Sequence, residues 1–228
     1  MVVAIILARG GSKRIKRKNI KKIKGKPIIA WVIEMVKKSA LFDKIIVSTD
    51  DDEIASLSKL HGAETPFKRP KELSDDFANT NDVMSHAVSW MRHKNWSLES
   101  VCCFYGTSVF FNKTDLIKGQ SALSNPKISY AFSVTDFEYP IFRSFISQKD
   151  VGIKMLFPEH YETRSQDLPI AMHDAAQFYW GKPSSWINKE KIFDYKSVGV
   201  MIPRQNVQDI DTEDDWSRAE SIFQPFEL

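Results

Sequence analysis

Cations and glycines are concentrated in a basic loop, Ala8–Asn19, which directly follows an apolar and mostly β-branched run. The loop contains Gly10, Gly11 and six lysine or arginine residues. Glycine lets the backbone approach a ligand closely with its N–H groups turned inward, and lysine and arginine neutralise phosphate oxygens. Because Val2–Leu7 is typical of a buried strand, we expect an anion site at the carboxyl edge of a sheet.

Arg9 has the best position in the basic loop for a phosphate contact, because it follows the strand almost directly. We expect the side chains of Arg14, Lys16 and Arg17 to be solvated rather than turned towards a ligand. The alternative for the whole loop is a basic turn in solvent that binds nothing.

An aspartate pair, Asp209 and Asp211, comes nearly two hundred residues later. Residues i and i+2 of an extended segment face the same side, and two carboxylates on one side form a hard-oxygen site suited to Mg²⁺. The alternative is a solvated acidic turn before a helix that Thr212 caps. The basic loop favours the metal site, because nucleotide chemistry commonly uses a divalent ion to screen phosphates.

Hydrogen-bonding side chains also occur among aromatic residues at 164–181. This mixture is typical of a pocket for a polar small molecule. We expect Arg164, Gln166 and His173 to bind a sugar. The pair formed by His173 and Asp174 admits two other interpretations, a catalytic dyad or a pair in the core.

The elements that must position these groups alternate between strand and helix. Apolar periodicity predicts a helix over 28–38, a strand over 44–48 and a helix ending near 60, with later strands over 101–105 and 130–134. This order predicts an α/β fold with a mostly parallel, Rossmann-like sheet flanked by helices. The G-x-G-x-x-G and P-loop patterns are missing from the sequence.

From residue 136 onwards the chain is rich in aromatic and polar residues without clean periodicity, and a strand is predicted again at 198–202. We therefore predict one α/β domain formed by 1–136 and 187–228. Residues 137–186 are expected to leave the sheet as a small insertion.

Composition restricts the possible partners. The net charge is only +3, and much of the excess lies between Lys13 and Lys26, which favours a small anionic ligand over nucleic acid. Cys102 and Cys103 are adjacent in an apolar run and are expected to be buried, reduced thiols. No apolar run reaches the 18 residues of a membrane span, so we expect a cytoplasmic protein without membrane contact.

The stretch Ile6–Asn19 resembles the signature of the nonulosonate cytidylyltransferases, also called CMP-sialic-acid synthetases. The resemblance covers nearly the whole chain and continues through Gly25–Pro27, Val47–Asp51, Arg69–Leu73 and Asp209–Asp211. The sequences at 164–169 and 173–181 are similar to the pseudaminic acid cytidylyltransferase branch of that family.

The resemblance implies a reaction and an assembly. CTP and a nine-carbon 2-keto sugar acid would give the CMP-sugar and pyrophosphate, with Mg²⁺ as cofactor, for surface or flagellar glycans. The family fold implies a homodimer in which a small element, here mapped to 137–186, reaches the active site of the partner.

Matching positions also imply roles for individual residues. Catalysis would involve Arg9, Lys18 and Asp211, and the metal would be held by Asp209 and Asp211. Contacts to CTP would come from Leu7, Ala8, Arg9, Gly10, Gly11, Ser12, Lys13, Lys18, Asn19, Thr80 and Thr107. Contacts to the sugar would come from Arg164, Gln166, Asp167, His173 and Gln177. The general base is left open between Asp211 and a metal-bound hydroxide.

One motif departs from the family pattern. Where the family often has Q-P-T-S-P-L-R, this chain has Tyr105–Phe111, which lacks the glutamine and the arginine. The departure argues against a plain N-acetylneuraminate enzyme. The alternatives are the same reaction on legionaminate, N-acetylneuraminate or 3-deoxy-manno-octulosonate, a non-catalytic nucleotide-binding module, and a basic RNA-binding protein.

Overall fold

The computed structural model describes residues 1–149 and 151–225. A six-stranded sheet forms its centre, with two small two-stranded sheets beside it. The strands are β1 Val2–Leu7, β2 Lys22–Ile23, β3 Lys26–Pro27, β4 Lys44–Ser48, β5 Ser100–Tyr105, β6 Tyr130–Asp136, β7 Phe145–Gln148, β8 Gly152–Met155, β9 Met172–Gly181 and β10 Ser197–Met201. The α-helices are α1 Ile28–Ser39, α2 Asp52–Leu60, α3 Thr80–His93, α4 Lys113–Ala122, α5 Pro183–Ile187 and α6 Glu213–Ile222.

The central sheet has the order β10-β6-β9-β5-β1-β4. All of its pairings are parallel except those of β9, which runs antiparallel between β5 and β6. The predicted Rossmann-like α/β sheet is therefore confirmed. The parallel strands end at one edge, which carries the basic loop after β1 and Gly106 after β5.

The position of β9 corrects the predicted insertion. Residues 172–181 lie in the middle of the central sheet, and α5 packs against α3, so the part outside the sheet is 137–171 and not 137–186. The physical reason is burial of the aromatic residues. Trp180 stacks on Phe42 with ring centroids 5.2 Å apart, and Tyr179 stacks on Phe132.

Both faces of the sheet are covered, which holds β1 rigidly. Ile6 belongs to the core on the face of α1, and Ile5 belongs to the core on the face of α3, and both side chains are fully buried. Each such side chain contributes about 1.5–3 kcal/mol relative to an exposed one. Cys102 and Cys103 of β5 are buried free thiols, as predicted.

The helix caps place the loops at the carboxyl edge. Asn79 caps α3 by accepting the N–H of Asp82 at 2.9 Å. Thr212 caps α6 as predicted. Within 1–149 and 151–225, the helices are all too short or too polar to cross a membrane.

Candidate active site

A cleft of about 370 Å³ opens at the carboxyl edge of β1 and β5. It brings together residues from five separate parts of the chain. The predicted site residues that line it are Leu7, Arg9, Lys18, Asn19, Thr80, Thr107, Asp209 and Asp211. An outer cavity of about 420 Å³ adjoins the cleft, and Ser12 and Lys13 line it together with Arg9, Lys18 and Asp211.

The basic loop and the aspartate pair form one site. The Lys18 ammonium donates to the Ile210 carbonyl oxygen at 2.5 Å and lies 3.4 Å from Asp211 Oδ1. Arg14 Nη2 lies 2.8 Å from the same carboxylate oxygen, while its side chain remains mostly exposed to solvent, as expected. Residues separated by almost the whole chain therefore contact each other directly.

The cations at the mouth of the cleft form ion pairs with carboxylates. The Asp76 carboxylate bridges Arg9 at 2.9 Å and Lys13 at 2.5 Å, and Arg9 also donates to the Asp75 carbonyl oxygen. These side chains are one-third or more exposed, and exposed ion pairs are weak. A phosphate with several negative oxygens can therefore replace Asp76 on Arg9 and Lys13.

Arg17 corrects a prediction about the basic loop, because it is not free in solvent. Its guanidinium lies 2.5 Å from Asp51 and 2.6 Å from Glu53. The hydrogen bonds from Arg17 hold the pKa of Asp51 below its ordinary value. Arg17 thus ties the loop to the start of α2.

The two glycines of the basic loop have different surroundings. The Gly10 N–H donates to Asp50 Oδ1 at 3.0 Å and is therefore not available to a ligand. A Cβ atom at Gly10 would lie 2.6 Å from Asp51 Oδ2, whereas a Cβ at Gly11 would meet nothing within 4 Å. Gly10 allows close packing of two loops, and its predicted contact to CTP would have to use an atom other than this N–H.

Asn19 holds the first and last parts of the basic loop together. Its side-chain amide donates to the Arg9 carbonyl oxygen at 2.9 Å, and the residue is nearly buried. A side chain at Gly106 would overlap the Asn19 amide, so the end of β5 can approach only as glycine. Ala8 lies in the core and is fully buried, so its predicted CTP contact would have to come from the backbone.

The aspartate pair fits a divalent cation by the chemistry of its donors. Partial enclosure and the neighbouring Asp211 carboxylate raise the pKa of Asp209, against the opposing effect of Lys18. A divalent ion would relieve this crowding of negative charge. Mg²⁺ is usually bound by one or two carboxylates plus waters and substrate phosphates, and Asp209 and Asp211 would supply the two carboxylates. The described residues contain no group of three or more His, Cys, Asp or Glu side chains that could hold a metal ion.

Arg69 and Tyr105 are among the residues of the cleft wall that were not predicted as site residues. Arg69 is buried, donates through Nε to Ser48 Oγ at 3.1 Å, and has its pKa lowered to about 10 by burial. Tyr105 shares a hydrogen bond of 2.8 Å with Thr80 Oγ1. Both lie in motifs that the sequence analysis quoted, Arg69–Leu73 and Tyr105–Phe111, so motif position was the available signal.

None of the five predicted sugar residues lines the cleft. Arg164 and Asp167 pair with each other at 2.7 Å on an exposed turn, and Gln166 is exposed beside them. Gln177 was also predicted to contact the sugar, but its side chain is buried. The side-chain amide accepts the Phe110 N–H and donates to the Ala175 carbonyl oxygen, both at 2.9 Å. Its hydrogen-bonding capacity is used within the fold.

His173 and Asp174 do not form a dyad. The exposed His173 ring contacts Phe137, and its Nδ1 lies 2.9 Å from the main-chain oxygen of Asp174 and not from the carboxylate. The Asp174 carboxylate instead lines the cleft and accepts the Tyr179 hydroxyl at 2.5 Å. The dyad interpretation of the sequence is therefore wrong, although it drew attention to Asp174.

The site and the sheet agree with the comparisons to known proteins. The family model described as cytidylyltransferase matches residues 3–219, and the chain belongs to this family. Among individual relatives, the chain is similar to pseudaminic acid cytidylyltransferases from two Campylobacter jejuni strains. It is 40% and 39% identical to them over 221 residues, which cover 97% of this chain and 95% of each relative.

A longer relative and a solved structure extend the comparison. A Helicobacter pylori protein named as both a pseudaminic acid cytidylyltransferase and a hydrolase of a UDP-sugar is 36% identical, and the match covers 99% of this chain and 43% of that protein. The structure of a CMP-2-keto-3-deoxy-manno-octonic acid synthetase complexed with CTP has a TM-score of 0.71 at 16% identity, covering 97% of each chain. The latter similarity supports the fold.

Proposed function

We propose that this cytidylyltransferase activates pseudaminic acid, transferring CMP from CTP to the sugar acid with release of pyrophosphate. The observation that carries the proposal is the convergence of the basic loop and the aspartate pair on one cleft. The level of identity to pseudaminic acid cytidylyltransferases supports the choice of sugar.

In this reaction the anomeric hydroxyl of the sugar acid attacks the α-phosphorus of CTP, and pyrophosphate leaves on the opposite side. Arg9 and Lys18 line the cleft and stabilise the charge that develops on the phosphate oxygens. Lys13, on the outer cavity, would contact the leaving pyrophosphate once Asp76 is displaced. The Asn19 side chain keeps Arg9 in place by donating to the main-chain oxygen of Arg9.

Asp209 and Asp211 would hold Mg²⁺. When bound, the ion screens the phosphate charge and lowers the pKa of a coordinated hydroxyl group. The pair is oriented by its surroundings: the Asp211 N–H donates to Asp215, and Lys18 and Arg14 contact the Asp211 carboxylate. This leaves Asp209 as the carboxylate without a cationic partner among the described residues.

The same proposal includes a cytoplasmic homodimer. The segment 137–171 exposes the large apolar side chains of Tyr139, Phe145, Ile153, Tyr161 and Ile170, which an interface between subunits would cover. Three of the predicted sugar contacts, Arg164, Gln166 and Asp167, lie on this segment and would reach the cleft of a partner subunit. A single-subunit mass in solution at micromolar concentration would contradict the dimer.

The experiment that tests the function measures pyrophosphate release from CTP with a panel of nonulosonic acids and 3-deoxy-manno-octulosonate. We expect release with Mg²⁺, loss of release with a chelator, and the highest kcat/KM with pseudaminic acid. No release with any acid, from folded protein with Mg²⁺, would contradict the enzymatic function. A higher kcat/KM with legionaminate, N-acetylneuraminate or 3-deoxy-manno-octulosonate would retain the chemistry and change the sugar.

A further inference from the structure

A second cavity of about 540 Å³ adjoins the cleft on the side away from the basic loop. The wall that the two cavities share is formed by Asn79, Thr80, Tyr105, Asp174 and Tyr179. Lys189, Lys191, Ile192 and Phe193 line only the second cavity. The Asn81 side-chain oxygen is buried beside it without a hydrogen-bond partner in the described residues. A polar ligand with an apolar face therefore suits this cavity.

A bulge in β9 puts Asp174 on the shared wall. The pairing with β6 changes from Phe132 opposite Tyr179 to Val134 opposite Asp174, so residues 175–178 face the single residue Ser133. Ser133 Oγ accepts the N–H groups of residues 177 and 178, which satisfies the backbone there. Ala176 takes a left-handed conformation with φ 54°. Bulges and strained residues of this kind re-aim side chains next to active sites.

The Asp174 carboxylate is held in one orientation. Oδ1 accepts the Ala176 N–H at 2.9 Å, and Oδ2 accepts the Tyr179 hydroxyl at 2.5 Å. Burial raises the pKa of the Tyr179 phenol, so the hydroxyl remains a donor. A carboxylate has about four acceptor positions, and these two bonds leave about two. No lysine or arginine of 1–149 and 151–225 forms a salt bridge with Asp174, so it can accept from an uncharged donor.

The chemistry of the two cavities separates the possible ligands. The cleft described above has its own apolar wall, which is formed by Leu7, Leu73, Ala78 and Val83. The cations of the basic loop line another part of it. A negative carboxylate on the far wall would repel the triphosphate. Asp174 is thus suited to an uncharged hydroxyl or amide group of the second substrate, the sugar acid.

We propose that Asp174, oriented by Tyr179, binds a hydroxyl or amide N–H group of the sugar acid and thereby selects among sugar acids. The inference rests on the proposed function. A site that is built to accept a substrate N–H or O–H discriminates strongly against analogues without a donor at that position, because the site's own polar group is then left unpaired.

Two variants and a control test the inference in the full-length protein. For Asp174→Asn we expect the KM for the sugar acid to rise about 10- to 100-fold, with the KM for CTP changed less than about twofold. The ratio of kcat/KM for the preferred sugar to kcat/KM for each other acid should fall towards one. Tyr179→Phe keeps the ring in the core and removes the hydroxyl, so the same shift should be smaller. Asp214→Asn, an exposed residue of α6, is the matched control and should behave like the wild type.

CTP affinity measured by calorimetry and the melting temperature show whether each variant is folded. An active wild-type enzyme whose sugar KM and sugar preference are unchanged in folded Asp174→Asn would overturn the inference alone. An equal rise in the KM for CTP would assign Asp174 to the nucleotide and also overturn it. If Asp174→Asn does not fold, Tyr179→Phe decides by the same measurements. A wild-type protein without turnover would overturn the proposed function and the inference together.

Discussion

The basic loop and the segment 137–181 both contain residues predicted to touch substrate, and they differ in how those residues are held. In the loop, Arg9 and Lys18 reach the cleft from short connections after a buried strand, and carboxylates already contact them. In the segment, the predicted side chains are dispersed: Arg164 is exposed and Gln177 is buried. The cleft is lined instead by Asp174, Ala176 and Tyr179, none of which was predicted to bind the sugar.

The difference shows that density of polar residues is a weaker guide than attachment to a rigid element. The basic loop begins at the end of β1, and this strand is covered on both faces. The backbone at the start of the loop is therefore held in place, even where the long side chains of lysine and arginine can move. The segment 137–181 first leaves the sheet and then enters its middle, and each side chain has a different environment along the way. Variants in the two regions should therefore fail in different ways.

The largest effect is expected where the basic loop meets the aspartate pair. Asp211→Asn removes a proposed metal ligand while conserving shape, and we expect turnover to fall by at least about 10³-fold, because the metal supplies several kcal/mol of charge stabilisation. Pyrophosphate release at saturating substrate and Mg²⁺ is the measurement. Asp214→Asn, on the exposed side of α6, is the control, and an active, folded Asp211→Asn enzyme would remove Asp211 from the metal site.

The next effect separates the cations within the loop. Lys18→Met should lower kcat by about 10²- to 10³-fold, because it removes a donor aimed at developing charge. Lys16→Met is the matched control, since Lys16 is exposed and belongs to the same loop. Equal losses in both variants would show that the loop acts through its total charge and not through the placement of Lys18.

A smaller effect, on stability, tests the other region. Gln177→Ala leaves the Phe110 N–H and the Ala175 carbonyl without their partner, and the free energy of unfolding should fall by about 1–3 kcal/mol. Urea denaturation gives the value. The exposed Gln166→Ala is the comparison and should retain wild-type stability. A stable Gln177→Ala variant with a raised sugar KM would restore the original prediction that Gln177 binds sugar.

The smallest effect has the opposite sign. Asp76→Asn frees Arg9 and Lys13 from a competing carboxylate, so the KM for CTP should fall about two- to fivefold at low salt. The difference should shrink as ionic strength rises, because salt screens exposed pairs. Asp52→Asn, which breaks an exposed pair with Lys68 away from the cleft, is the control. A higher KM for CTP in Asp76→Asn would mean that Asp76 assists nucleotide binding.

Local pattern was sufficient for much of the fold and for half of the site. The apolar run of β1, the amphipathic period of α1 and the cap at Thr212 are properties of neighbouring residues, and each was predicted correctly from them. The basic loop could be recognised for the same reason, because strand, glycines and cations are contiguous.

The remaining features depend on contacts between distant parts of the chain. The local sequence of Met172–Gly181 does not indicate that this strand pairs with β5 and β6. A strand that is buried on both faces lacks the alternation of apolar and polar residues that would indicate how it lies in a sheet. The bulge opposite Ser133 then decides that Asp174 faces the cleft while Gln177 faces the core. A one-residue change of register reverses the face that each side chain occupies, so the Asp174 side of the cleft was set by tertiary pairing, whereas the basic loop on the other side is contiguous in the sequence.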